Sequence, residues 1–211
     1  HLSKLMKNNR YRQVENIVDE IEYLIGGFQG RDIFFVDDIF FANINNLRQF
    51  FKCVKERNIR IKYVVQLRVD MITDEICYLL KESGCYKIEV GVESGSDLIL
   101  RDSLKGITVE KIKKGIYLAK KNGVRIKTNW IYGLPGTLEE QYKSISLMCE
   151  TMPHEISIHQ FVPFPGTDYY TNYRNYGIKF KDPNNFESFC FGGLDENIIY
   201  EYMSLNQFIV L

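Results

Sequence analysis

The sequence predicts an α/β fold built on a parallel sheet, and three observations predict it. Short apolar runs alternate with longer amphipathic stretches along most of the 211 residues. The apolar runs close on polar or glycine-rich turns, as in Gly91-Val92-Glu93-Ser94-Gly95 and Asn129-Trp130-Ile131-Tyr132-Gly133-Leu134-Pro135-Gly136. A helix lies between each pair of runs and returns the chain to the same end of the sheet, so the strands run parallel and their polar ends share one rim. In such architectures ligands gather at that rim.

The first element is a helix over residues 13 to 25, where Val14, Ile17, Val18, Ile21 and Leu24 or Ile25 recur on one face with acids between them. Gly26-Gly27 is expected to stop it. Residues 33 to 36 are apolar without alternation, as in a strand covered on both faces, and end on Asp37-Asp38. A helix from Asn43 to Arg57 follows, then a strand from Arg60 to Leu67 that ends near Arg68. Thr73-Asp74-Glu75 opens the next helix, to Ser83. The strand 87 to 92 ends on Glu93, and Thr108-Val109-Glu110-Lys111 starts a helix stopped at Asn122-Gly123. A strand over 125 to 132, a helix over 137 to 150 and a strand over 155 to 162 complete five strands, with one helix ahead of the first. That leading helix predicts a further strand and loop upstream of His1, without which the strand at 33 to 36 has an open edge.

From Thr167 the pattern changes. Tyr169, Tyr170, Tyr173 and Tyr176 recur near helical spacing, Lys181-Asp182-Pro183-Asn184-Asn185 breaks the chain, and residues 186 to 191 gather aromatics before Gly192-Gly193. The expected organisation is a core over 1–166 and an aromatic-rich extension over 167–211, whose rings serve packing.

Composition excludes several classes. Lys plus Arg and Asp plus Glu both number 27, so the basic excess of a general nucleic-acid binder is absent. No apolar run approaches the roughly 18 residues of a membrane helix. His1-Leu2-Ser3-Lys4 does not read as a signal peptide, and the expected location is the cytoplasm. Cys53, Cys77, Cys85, Cys149 and Cys190 are scattered without a Cys-x-x-Cys pair. They read as small apolar residues and neither as a disulfide framework nor as a metal site. His159, on an apolar strand, reads as a hydrogen-bonded core histidine.

At the rim, Asp37, Asp38 and Glu93 either cap the helix or turn that follows or face a ligand. Arg68 and Lys105 are either solvated charges or ligand cations. Asn129, Ile131 and Gly133 share a parity on one strand and face the same side.

Taken in order, Phe35-Val36-Asp37-Asp38, Arg68-Val69-Asp70, Gly91-Val92-Glu93-Ser94-Gly95-Ser96-Asp97, Leu104-Lys105-Gly106-Ile107-Thr108, Ile131-Tyr132-Gly133-Leu134-Pro135-Gly136 and Pro163-Phe164-Pro165-Gly166-Thr167 carry a resemblance. The chain resembles the radical S-adenosylmethionine superfamily over roughly residues 10 to 167. The pattern is most similar to the branch holding the cobalamin-binding radical enzymes, the methylthiotransferases and the oxygen-independent coproporphyrinogen oxidases.

The resemblance implies a partial TIM-like barrel of six strand-helix units, here lacking its first strand and the loop after it. In the family that loop carries a Cys-x-x-x-Cys-x-x-Cys motif for a 4Fe-4S cluster, which this sequence does not contain. The expectation is that the motif lies upstream of His1. The implied activity is reductive cleavage of S-adenosylmethionine to methionine and a 5'-deoxyadenosyl radical that abstracts hydrogen from a substrate. Implied partners are a small-molecule or other substrate and an electron donor such as flavodoxin or ferredoxin. The branch is also compatible with cobalamin held by a separate N-terminal domain. The contrasting reading is a non-catalytic barrel relative that binds a nucleoside-like ligand or partner without a cluster.

Site roles follow from the same resemblance. Asp37 and Asp38 are implied to meet the ammonium of S-adenosylmethionine, and Arg68 its methionine part or the substrate. Glu93, with Ser94 beside it, is implied to accept hydrogen bonds from the ribose hydroxyls, and Lys105 to meet the methionine carboxylate. Asn129 would contact ribose and Ile131 adenine, Gly133 would give the nucleoside clearance, and Phe161 and Val162 would close over the adenine.

Overall fold

The computed structural model describes residues 12–28, 32–41, 43–182, 184–185 and 196–203. The readings at residues 1 to 11, at Pro183, at the aromatics 186 to 191 and Cys190, and at Gly192-Gly193 lie outside the described residues. The element order is α1 (Val14–Phe28), β1 (Asp32–Phe34), α2 (Ile44–Glu56), β2 (Lys62–Leu67), α3 (Asp74–Glu82), β3 (Cys85–Glu93), α4 (Asp97–Asp102), α5 (Val109–Lys121), β4 (Arg125–Tyr132), α6 (Leu138–Thr151), β5 (Glu155–Gln160), α7 (Asp168–Thr171), β6 (Ile178–Phe180) and β7 (Ile198–Tyr200). The five strands β1 to β5 form one sheet in sequential order. The β1–β2 and β2–β3 pairs are parallel, as the alternation with helices requires. The strand order does not reverse, so the sheet lacks the switch point of a doubly wound fold and progresses as a barrel wall does. Among the described residues, no helix is long and apolar enough to cross a membrane.

By contact the chain forms two compact units. The first comprises His1–Gly91, Lys111–Thr128 and Pro153–Glu155, and the second Val92–Glu110, Asn129–Met152 and Ile156–Leu211.

In the first unit α1 packs beside α2, and α2 beside α3. The apolar stripe of α1 is buried at Val14, Val18 and Ile21, as its spacing predicts. Gly26-Gly27 does not end that helix, which runs through both to Phe28. A Cβ on either glycine would meet nothing within 4 Å, and the Tyr23 and Phe28 rings meet edge to face at 6.3 Å across the last turn. Gly26→Ala should therefore raise stability by about 0.5–1 kcal/mol through propensity alone, read as a higher urea midpoint.

The core of this unit is a ring cluster of Phe35, Phe40, Phe50 and Tyr63, with centroids 4.6 to 6.2 Å apart. β1 is not covered on both faces. Phe34 is 49% and Val36 77% exposed, because they point to the sheet face opposite the helices, away from that ring cluster.

That face is charged along β3 to β5. Strand alternation buries Ile88 and Val90 and leaves Lys87 and Glu89 on the other side, and it does the same to Ile126 and Lys127. Lys87 lies 3.3 Å from Glu89 and 3.0 Å from Glu155, Arg125 lies 3.2 Å from Glu155, and Lys127 lies 3.5 Å from Glu89. Three cations and two carboxylates thus form one ladder. Burial pulls the Lys87 ammonium down, but the hydrogen bonds it donates to Glu155 and Glu89 outweigh it and hold the pKa above the ordinary value. The Lys87 hydrogen bond and the guanidinium of Arg125 hold the Glu155 carboxyl below its usual range.

In the second unit the ends of β4 and β5 pack against the tail of the described chain. Ile99, Tyr132, Leu134, Phe161, Ile178, Ile198, Tyr200 and Met203 form its buried cluster. The hairpin β6–β7 is antiparallel. Tyr169, Tyr173 and Tyr176 are half-buried against the cluster, so these rings pack, as read from their spacing. Trp130, on β4, is 1% exposed.

Candidate active site

The centre of the second unit's rim is the end of β3. Glu93 has φ 68°, a left-handed backbone that few non-glycine residues adopt, at a cost on the order of 1 kcal/mol. The turn after it is bonded throughout. Ser94 is 1% exposed, and its hydroxyl accepts the Ser96 N–H at 3.1 Å. The Gly95 N–H donates to Ser144 Oγ on α6 at 2.9 Å. Ser96 caps α4 by accepting the Ile99 N–H at 3.2 Å, and its hydroxyl donates to Glu140 of α6. The cap belongs to Ser96, so the reading of Glu93 as a helix cap fails, and its carboxylate is left to face Lys105. Lys105 Nζ stands 2.5 Å from Glu93 Oε1. The two side chains are 26% and 19% exposed, within reach of a ligand.

Lys105 rides on the loop after α4, between Leu104 at φ 57° and Gly106 at φ 71°. Asp97 closes this loop by accepting the Val109 N–H at 2.8 Å. On β4, Asn129 and Ile131 are half-buried on one face while Trp130 and Tyr132 are buried on the other, as their parity predicts. Gly133 follows at φ 84°. The clearance expected there for a nucleoside is filled by protein: a Cβ on Gly133 would meet the Tyr200 ring at 2.9 Å, and the Tyr202 hydroxyl donates to the Gly133 carbonyl at 2.8 Å.

Phe161 is likewise turned into the core. It is 8% exposed, its ring meets Tyr169 edge to face at 5.0 Å, and its carbonyl accepts the Tyr200 hydroxyl. Val162 beside it is half-buried against the same cluster.

In the first unit, Asp37 and Asp38 stand exposed after β1. Neither caps α2, whose cap is Asn43. Arg68, at the end of β2, is held by Asp70 through two hydrogen bonds of 3.0 Å. Sequence reasoning gave no role to Asp70, Ser96 or Glu140. The Arg-x-Asp spacing and the Ser-Asp pair ahead of a helical turn were the signals available.

His159 is hydrogen-bonded to Ser157 Oγ at 3.1 Å but is exposed, because β5 is an end strand of the sheet among the described residues. The cysteines differ among themselves. Cys77 and Cys85 are buried, Cys53 is half-buried and Cys149 is exposed. Burial pushes the Cys77 thiol up to about 11 and the Cys85 thiol up to about 12.

A profile of the radical SAM superfamily matches residues 3–148. The chain belongs to the radical SAM superfamily. An uncharacterized methyltransferase of Pyrococcus horikoshii is 28% identical over 170 residues, which cover 78% of this chain and 37% of the relative. The anaerobic magnesium-protoporphyrin IX monomethyl ester cyclase of Rubrivivax gelatinosus is 26% identical, over 78% of this chain and 30% of its own length. A putative methylthiotransferase of Methanocaldococcus jannaschii is 31% identical, over 64% of this chain and 32% of the relative. The chain therefore spans about a third of the length of these curated relatives.

Solved structures agree on the fold. The radical S-adenosylmethionine methyltransferase TsrM of Kitasatospora setae, solved with cobalamin and a 4Fe-4S cluster, superposes with a TM-score of 0.62 at 21% identity, covering 70% of this chain and 29% of that one. Coproporphyrinogen III oxidase of Escherichia coli superposes with a TM-score of 0.57 at 17% identity, covering 72% and 38%. The fold is thus the partial TIM-like barrel of radical SAM proteins.

A 4Fe-4S cluster does not fit the described residues. Among them no group of three or more His, Cys, Asp or Glu is placed to hold a metal ion. S-adenosylmethionine does fit the second unit in charge. Its ribose diol calls for an acceptor and its carboxylate for a cation, and Glu93 at the end of β3 and Lys105 on the loop after α4 place a group of each kind side by side.

Proposed function

We propose that the chain is the S-adenosylmethionine-binding core of a radical SAM enzyme whose cluster thiolates come from outside these 211 residues. When bound beside a reduced cluster, S-adenosylmethionine supplies the radical that takes hydrogen from substrate. This chain's part is to bind and orient it.

The observation that carries the proposal is Glu93, a carboxylate in a strained backbone conformation whose following turn is bonded to α6 through Gly95 and Ser96. Strain that the surroundings over-determine marks a positioned functional group. Glu93 takes the ribose hydroxyls, Lys105 the methionine carboxylate, Asn129 the ribose edge and Ile131 the adenine face. Because the Ser94 hydroxyl is engaged in the turn and the Phe161 ring and the Gly133 and Phe161 carbonyls are engaged in the core, Ser94, Gly133, Phe161 and Val162 shape the wall behind the site. For Asp37 and Asp38 the proposed role is toward the ammonium group, and for Arg68 toward the methionine part or the substrate. A reductant such as flavodoxin or ferredoxin supplies the electron. The 1–166 core carries this chemistry and the 167–211 extension supports it.

Glu93→Ala in the full-length protein should weaken S-adenosylmethionine binding about tenfold or more, the worth of hydrogen bonds to a charged acceptor. Calorimetric titration without reductant measures it. Unchanged affinity removes Glu93 from the site.

A further inference from the structure

Glu93 and Lys105 are each assigned to a different end of one ligand, yet here they bind each other at 2.5 Å. We propose that this ion pair is the resting contact of the site, opened by ligands that carry a carboxylate and re-formed to expel a nucleoside that carries none. The proposal rests on the S-adenosylmethionine reading above.

The two partners differ in freedom. Glu93 ends a strand, and the turn after it is tied to α6 through Ser144 and Glu140. Lys105 sits on a loop between two left-handed residues. Leu104 is 70% exposed, and a Cβ on Gly106 would meet nothing within 4 Å. Lysine also carries its charge on a flexible four-carbon stem. The lysine is therefore the partner that moves.

The exchange then depends on what the ligand offers. A ribose diol needs the Glu93 oxygens, one of which is engaged by the Lys105 ammonium. A ligand with its own carboxylate gives Lys105 a replacement partner, so one charge-assisted contact is traded for another. A nucleoside without a carboxylate opens the Glu93 contact and offers no charge-assisted contact in return. Cleavage of S-adenosylmethionine separates the carboxylate, on methionine, from the ribose, on the nucleoside. The closing of the pair thus favours release of the nucleoside product and retention of the uncleaved ligand.

Two probes isolate this effect on the full-length protein without reductant: S-adenosylhomocysteine, which has the carboxylate, and 5'-methylthioadenosine, which keeps the nucleoside thioether and lacks it. Lys105→Met should weaken the first roughly tenfold and strengthen the second roughly threefold, moving the two affinities in opposite directions. Lys105→Arg should keep the wild-type preference. A merely structural role for Lys105 would weaken both probes together. If 5'-methylthioadenosine binds Lys105→Met and a second variant, Lys105→Gln, no better than wild type, the exchange is overturned, provided that wild type binds S-adenosylhomocysteine and Glu93→Ala weakens it. If wild type binds neither probe, the S-adenosylmethionine reading itself fails.

Discussion

Replacing Gly95 with alanine is expected to lower stability by about 3 kcal/mol, a large part of what a domain of this size has to lose. The cause is close approach to backbone. A Cβ at position 95 would lie 2.4 Å from the Lys143 carbonyl oxygen and 2.6 Å from the Ser144 Cα, both main-chain atoms of α6 that no rotamer change can remove. Relief requires moving α6 away from the turn. That breaks the Gly95 N–H bond to Ser144 and the Ser96 bond to Glu140, the ties that keep Glu93 in its left-handed conformation. Urea unfolding measures the loss. A change of less than about 1 kcal/mol would mean that the helix yields freely and that the turn is not clamped.

Glu89→Ala should cost about 2–3 kcal/mol, since it removes a carboxylate between Lys87 and Lys127 in the charged ladder. The Glu89 side chain is 12% exposed and that of Lys87 16%, so water replaces the lost partner poorly. The same change at Glu56, whose pair with Lys52 is 63% and 71% exposed, should fall within about 0.5 kcal/mol. Equal effects at the two sites would refute a shielded ladder.

The ladder also sets the direction of pH dependence. The Glu155 carboxyl is depressed in the folded state, so its contribution is present above the ordinary glutamate value and is lost as pH falls through the depressed one. His154 adds a loss of the same sign. Its Nδ1 accepts the Ile126 N–H at 3.1 Å, and burial, then Arg125 and Lys120, push the imidazole below its ordinary value. Protonation removes that acceptor as pH falls. Lys87 is raised, so its contribution persists below the ordinary lysine value and fades only as pH rises through the raised one. The unfolding midpoint should therefore fall first on the acid side.

Much of this architecture is legible in the sequence because it depends on periodicity. The alternation of Trp130 and Tyr132 with Asn129 and Ile131 gave both the strand and the face that its polar residue shares with Gly133. Where periodicity runs out, reading fails. α4 holds six residues, too few for a helical repeat to show, and only Ser96 announces it. Gly26-Gly27 carries a stop signal that local packing does not enforce.

At the site, Glu93 and Lys105 were each legible as rim charges, but their pairing depends on a left-handed strand end that no spacing specifies. The filling of the Gly133 space was hidden for a different reason. Tyr200 lies far along the chain and arrives there through a hairpin that pairs residues 178 to 180 with 198 to 200.

The burial of Trp130 has an optical consequence. It is the one tryptophan of the sequence, and it sits on β4 between Asn129 and Ile131, the two residues assigned to the nucleoside. The tryptophan emission of these 211 residues therefore reports from a single strand, from the face opposite Asn129 and Ile131. Within these 211 residues that position carries its own fluorophore, and no second indole shares the signal.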